Sequence, residues 1–101
     1  MRVATLPALN PALNAIAREL HLSEAEVLQQ SLISLLEQRL REVKAEIFAI
    51  TGRYKIASIE EMDSRYHEGT LEEADTWQDF QRLDHLEYKR DHLTQLLASL
   101  Q

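Results

Sequence analysis

The chain has 101 residues, of which 45% are hydrophobic and 28% charged, with only two glycines and two prolines. This composition is typical of a folded helical protein and excludes an intrinsically disordered one. The absence of cysteine excludes disulfide frameworks and thiolate zinc sites. Because no apolar run has the length of a membrane span, we expect a cytoplasmic protein without membrane contact.

The net charge of −6 is unevenly distributed along the chain. Residues 1–50 contain five Lys and Arg against six Asp and Glu, whereas residues 51–101 contain six against eleven. A phosphate backbone would repel the second half, so a basic protein is its more natural partner. A chain this short has a small core, which favours a homodimer.

The N-terminal segment RVATL, residues 2–6, allows a short β-strand because Val3 and Thr5 are β-branched. Asn10 and Pro11 then predict the start of a short helix, with asparagine as the N-cap and proline in the first helical position. The apolar face of this helix contains Leu13, Ile16 and Leu20.

A long central helix is predicted to start at Ser23, because Ser23 and Glu26 form a capping-box pattern. His21 occupies the position where glycine is usual at a helix C-terminus, so either it tolerates an unfavourable backbone conformation or the turn differs from the usual one. The helix should continue to Thr51-Gly52. Apolar residues spaced alternately three and four positions apart along this helix define a seam for dimerisation or helix packing. The seam consists of Ile33, Leu36, Leu40, Val43, Ile47 and Ile50. Leu28, Leu32 and Leu35 widen the apolar stripe enough to receive the short helix as well as a partner.

The remainder predicts two further helices. Ser58 and Glu61 form a second capping box, and Gly69 suits the C-terminus of this short third helix. Asp75 can cap a last helix that runs from about Thr76 and folds back on the long one. Its apolar positions are Leu83, Leu86, Leu93, Leu97 and Leu100.

Residues 1–40 resemble the ribbon-helix-helix proteins, on the segment ending in Leu6-Pro7, the short helix LNAIARELHLS and the Ser-x-x-Glu opening of the longer helix. The resemblance implies a strand that pairs with its copy across a homodimer and enters the major groove of DNA. Thr5 would then contact a base and Arg2 a phosphate. Glu24 and Glu26, at the start of the second helix, oppose phosphate binding there.

Residues 51–101 are similar to the C-terminal part of small prokaryotic antitoxins, which wraps a basic toxin. An aromatic set would anchor that partner, and it consists of Tyr54, Tyr66, Trp77 and Phe80. The acidic residues around this set would steer a cationic partner. The alternative is that the aromatic residues only pack on the long helix and the acidic residues form a solvated connector.

The sequence offers little catalytic chemistry. His85 and His92 are seven residues apart, which does not suit a shared metal ion, so we expect them on the surface. A metal-dependent all-α hydrolase would need facing carboxylate pairs, which could come from Glu42, Glu46, Asp84 and Glu87. Basic residues beside the first pair can instead form ordinary helical ion pairs with it.

The sequence therefore predicts a mainly α-helical homodimer without enzymatic activity, cofactor or metal. Residues 1–50 would form a ribbon-helix-helix-like dimerisation region, and residues 51–101 an acidic helical partner-binding region. The predicted function is that of an antitoxin that neutralises a small basic toxin and can also repress its own operon. The alternatives are a DNA-binding repressor without a toxin and, from another class, a metal-dependent hydrolase. Packing of the last helix within its own chain or in a partner is left open.

Overall fold

The computed structural model describes residues 9–101, which form four α-helices. These helices are α1 (Leu9–Leu20), α2 (Glu24–Tyr54), α3 (Ile59–Glu68) and α4 (Glu73–Leu100). The mainly α-helical prediction is confirmed, and residues 9–101 contain no strand. The strand predicted at residues 2–6, with Arg2 and Thr5, lies outside the described residues.

The turn between α1 and α2 follows the capping pattern of the sequence. His21 has a φ angle of 59°, in the left-handed region that few side chains adopt. The Ser23 amide donates to the Glu26 carboxylate at 2.8 Å, and the Glu26 amide donates to Ser23 Oγ at 3.0 Å. Hydrogen bonding from the Ser23 backbone lowers the pKa of Glu26. The predicted capping box is confirmed.

The predicted end of α2 at Thr51-Gly52 is wrong, because the helix continues to Tyr54. Glycine in a helix interior costs about 1 kcal/mol relative to alanine, which burial of Ile50 in the core can offset. The helix stops at Lys55, whose φ angle is 56°. The Arg65 guanidinium donates to the carbonyl oxygens of Tyr54 and Lys55. These carbonyl groups at the end of α2 have no partner within the helix, so Arg65 supplies their hydrogen bonds.

Two side chains from different parts of the chain cap the start of α3. Ser58 Oγ accepts from the Glu61 amide at 3.2 Å, as the second capping-box pattern predicts. Glu87 of α4 accepts from the Ile59 amide at 2.9 Å, a contact between helices that periodicity does not reveal. Gly69, with a φ angle of 75°, ends α3 as predicted.

The predicted start of α4 at Asp75-Thr76 is wrong, because the helix begins at Glu73 and Asp75 lies within its first turn. Thr76 Oγ donates to the Glu72 carbonyl at 2.7 Å and is buried. Acidic side chains in a first turn are favoured by the helix dipole, which suits Glu73 and Asp75 equally well.

Contacts divide the chain into two compact units. Unit 1 contains the described residues up to Leu35 together with Leu100, and unit 2 contains residues 36–99 with Gln101. The core of unit 2 is formed by Val43, Ile47, Ile50, Ile56, Met62, Leu83, Leu86 and Leu93. In unit 2, α4 therefore folds back on α2 within the same chain. The predicted functional division at residue 50 remains a prediction.

The predicted seam on α2 is distributed over both units. Val43, Ile47 and Ile50 lie in the core of unit 2, and Leu36 and Leu40 pack against that core while partly buried. Ile33, in unit 1, is also partly buried. Five of the six seam residues therefore pack within unit 2, and the three in its core are not available to a second copy.

Polar contacts fix the antiparallel arrangement of α2 and α4 in unit 2. Glu46 accepts three hydrogen bonds from the Arg82 guanidinium, at 2.7, 2.8 and 3.2 Å. Further along, Asp79 accepts from both Arg53 and the Tyr54 hydroxyl. The Tyr54 hydrogen bond, with the nearby Arg53 guanidinium, lowers the pKa of Asp79. The same carboxylate raises the pKa of Tyr54.

No helix within residues 9–101 combines the length and the apolar character needed to cross a membrane.

We expect Ser23→Ala to destabilise the protein by about 1 kcal/mol, because it leaves the Glu26 amide without its side-chain acceptor. Urea unfolding followed by circular dichroism measures this loss. Ser31→Ala is the control, since Ser31 is an exposed residue in the interior of the same helix. An equal loss in both variants would contradict a capping role for Ser23.

We expect Asp79→Asn to destabilise unit 2 by about 1 kcal/mol near neutral pH, because a charged acceptor of two hydrogen bonds is lost. The folded-state pKa of Asp79 lies below its ordinary value of 3.8. Its contribution is therefore fully present above pH 3.8 and disappears as the pH falls through the folded-state pKa.

Urea midpoints of the wild type and the variant should accordingly converge on acidification. Asp84→Asn, at an exposed position of the same helix, should follow the wild type throughout. A difference between wild type and Asp79→Asn that is independent of pH would refute this account.

Candidate functional site

A surface cavity in unit 2 lies between α3 and the first turns of α4. Its volume is about 320 Å³. The side chains that line it are Asp63, Tyr66 and His67 from α3 and Glu73, Trp77 and Phe80 from α4. We refer to these six residues as the aromatic–acidic cavity.

Three aromatic rings form the apolar wall of the cavity. The rings of Trp77 and Phe80 are stacked, with centroids 5.1 Å apart and an interplanar angle of 16°. Phe80 also contacts Tyr66, at 5.3 Å and 55°. Because Trp77 and Phe80 are three residues apart on α4, both reach the same side of the helix. Phe80 thus connects the two helices that carry the site.

A partly buried hydrogen bond fixes the position of Tyr66. Thr76 Oγ already donates to a backbone carbonyl, so the Tyr66 hydroxyl donates to Thr76 Oγ, at 2.6 Å. Thr76 is 8% exposed, and the hydrogen bond is partly buried. The aromatic wall is therefore held at its inner end by α4 itself.

The outer part of the wall is open to solvent. Trp77 is 43% exposed, which is unusual for the largest apolar side chain of a small protein. One face of the indole lies against Phe80, so the exposed area belongs to the remaining faces and edges. Such a surface is a candidate anchor for a ligand or a partner.

The rim of the cavity is mainly acidic. Asp63 and Glu73 approach it from different helices and both are exposed. His67 lies one helical turn after Asp63, and its Nδ1 is 2.9 Å from the Asp63 carbonyl oxygen. This hydrogen bond, together with the Asp63 carboxylate, raises the pKa of His67. The rim therefore offers two carboxylates to a positively charged group.

The structure brings together three of the four aromatic residues that the sequence singled out as partner-binding. Tyr66, Trp77 and Phe80 line the cavity, whereas Tyr54 is partly buried and hydrogen-bonded to Asp79. Of the acidic residues that lie near Trp77 in the sequence, only Glu73 lines the cavity.

Two residues of the site were not found from the sequence. Asp63 and His67 stand three residues before and one residue after Tyr66, which places them on one face of α3. That spacing was a usable signal. Phe48 is not among the residues that line the cavity, but its 77% exposure on α2 was not predicted either, because it does not belong to the seam.

Three of the four carboxylates considered for a hydrolase have other contacts. Glu46 is bound by Arg82, Glu42 lies 3.4 Å from Arg39, and Glu87 caps α3. Within residues 9–101, no group of three or more His, Asp or Glu side chains could hold a metal ion. His85 and His92 are both exposed.

Comparison with curated proteins and with solved structures gives no match. A family model does match, over residues 7–101, and it is described as the Uncharacterized protein MJ0235 family. Because the match covers nearly the whole chain and all four helices, this protein belongs to that family.

Proposed function

We propose that this chain is a non-enzymatic interaction protein that binds a basic partner protein through the aromatic–acidic cavity. In its most specific form, the proposal is an antitoxin that neutralises a small basic toxin in the cytoplasm. The observation that carries it is the half-exposed, stacked Trp77 on an acidic rim.

The aromatic wall supports a role in binding. Tryptophan and tyrosine supply much of the binding energy at protein interfaces, because they bury a large apolar area with few rotatable bonds. Here Phe80 and the hydrogen bond to Tyr66 hold the rings in place before any partner arrives. Such preorganisation lowers the entropic cost of association.

The charge of the chain supports a basic partner. Residues 51–101 carry a formal charge of −5 at neutral pH with neutral histidine. A field of this sign accelerates association with a cationic protein and opposes association with nucleic acid. The two carboxylates of the rim extend this preference to the contact itself.

Unit 1 supports association with a second copy of the chain. Its helices expose five large aliphatic side chains, each between 48% and 56% accessible, namely Ile16, Leu20, Leu28, Leu32 and Leu35. Monomeric proteins rarely leave so many apolar side chains exposed together in so few residues. We therefore place the proposed dimer surface on unit 1 and not on the buried part of the seam.

A role in repression stays a prediction. Arg2 and Thr5, the residues expected to contact DNA, lie outside the described residues. Glu24 and Glu26 lie in the first turn of α2 and are exposed, so they oppose phosphate binding at that helix start. The binding of a protein partner is the better supported of the two functions.

We expect Trp77→Ala to weaken capture of the partner by about tenfold or more, because the main apolar anchor is lost. The tagged chain is co-expressed with each protein encoded by the flanking genes, and retention is measured after nuclease treatment. The retained complex is then quantified by calorimetry.

The matched control is Tyr88→Ala, since Tyr88 is a 71% exposed aromatic residue elsewhere on α4. Circular dichroism checks that both variants keep their helical content. The proposal is overturned if the wild type retains neither neighbouring protein, or if Tyr88→Ala is as damaging as Trp77→Ala.

We expect Leu32→Glu to convert a homodimer into a monomer at micromolar concentration, because a charge at an apolar interface lacks a partner. Light scattering coupled to size exclusion measures the mass. Phe48→Glu places the same charge at an exposed apolar position of unit 2 and should leave the dimer intact. A monomeric wild type would exclude the dimer.

A further inference from the structure

We propose that the aromatic–acidic cavity binds the guanidinium group of an arginine side chain. This inference rests on the proposed function, because it names the group through which a basic partner would enter the site. It makes the cavity a receptor for one side chain, surrounded by a less specific interface.

The dimensions of the cavity suit a single side chain. Pockets for small-molecule ligands start at about 300 Å³, and this cavity, at about 320 Å³, is at that lower limit. It is also open at the surface of unit 2, so a side chain that projects from another protein can enter it without any rearrangement of α3 or α4.

The aromatic wall favours a flat cation. Guanidinium stacks on the faces of aromatic rings, and tryptophan is the strongest acceptor of this interaction. Trp77 has one face on Phe80 and keeps 43% of its surface accessible. A guanidinium can therefore cover the open part of the indole while the stack remains intact.

The rim supplies the complementary charge. The carboxylates of Asp63 and Glu73 reach the cavity from α3 and α4 respectively, so both can accept hydrogen bonds from one ligand. Asp63 forms a long ion pair with His67, at 3.8 Å, whereas within residues 9–101 Glu73 forms no ion pair. Glu73 therefore keeps acceptor capacity for a ligand, whereas Asp63 already has His67 as a partner that the ligand would share or displace.

Arginine fits this arrangement better than lysine. An ammonium group is compact and strongly hydrated, whereas the guanidinium is planar, more weakly hydrated and carries five donors in a fixed plane. Only a planar cation can stack on Trp77 and donate to two carboxylates together. An apolar side chain would offer no hydrogen bond to either carboxylate.

The only tryptophan of the chain reports directly on the site. The full chain is titrated into the millimolar range with N-acetyl-arginine methylamide at constant ionic strength. Trp77 fluorescence and its indole N–H resonance are followed. The citrulline derivative, with the same shape and no charge, and the lysine derivative, with the same charge and a different shape, are the comparisons.

We expect a saturable response whose affinity for the arginine derivative exceeds that for citrulline by about tenfold, and that for lysine by a smaller factor. Asp63→Asn and Glu73→Gln should each weaken arginine binding about threefold or more while the indole signal is retained. Glu60→Gln removes an exposed carboxylate of α3 that does not line the cavity, and should change nothing.

Equal affinity for arginine and citrulline, or equal weakening by Glu60→Gln and Glu73→Gln, would overturn the inference. Equal affinity for arginine and lysine would overturn the preference for guanidinium. The proposed function fails in a different way, namely if the wild-type chain retains no partner protein. The two failures can therefore be told apart. A partner captured through Trp77 without any response to arginine refutes only the present inference.

Discussion

The packing of the second half of α2 against α4 is the constraint on which the rest of unit 2 depends. The buried aliphatic side chains of both helices share one core, and full burial of each contributes about 1.5–3 kcal/mol. Because the two helices are antiparallel, the segment between them must reverse direction. α3 fills that segment with Met62 fully buried, and so lies next to the first turns of α4. The cavity is a consequence of this reversal.

The first half of α2 has no equivalent cover. Its companion in unit 1 is α1, a helix of 12 residues in which Ala17 is buried and two larger side chains, Ile16 and Leu20, stay exposed. A short helix covers only part of a wide apolar stripe, so Leu32 and its neighbours on α2 remain about half accessible. The same apolar repeat thus completes a core in one unit and leaves an uncovered surface in the other.

Features that depend on residues close together in the chain could be predicted from the sequence, whereas features that depend on tertiary contacts could not. The boundary at Ser23 depends on hydrogen bonds within four residues, and its residue pattern was sufficient. Gly52 was predicted to end α2 and Asp75 to precede α4, yet both lie inside these helices. Whether a helix includes such a residue depends on burial of its neighbours in the core. Periodicity located the seam but could not tell an intrachain partner from a second copy. The cavity needs α3 beside α4, which no spacing within either helix encodes.

Charge and contact have separate roles in the recognition proposed for unit 2. The acidic excess of residues 51–101 acts over distance, but it is screened beyond about 8 Å at physiological ionic strength and attracts any cationic protein. Discrimination must therefore come from short-range contacts. A half-exposed Trp77 lowers the stability of the free chain, since buried apolar area is worth about 25 cal/mol per Å². In the proposed complex the ligand covers this exposed part of the indole, beside the carboxylates of Asp63 and Glu73.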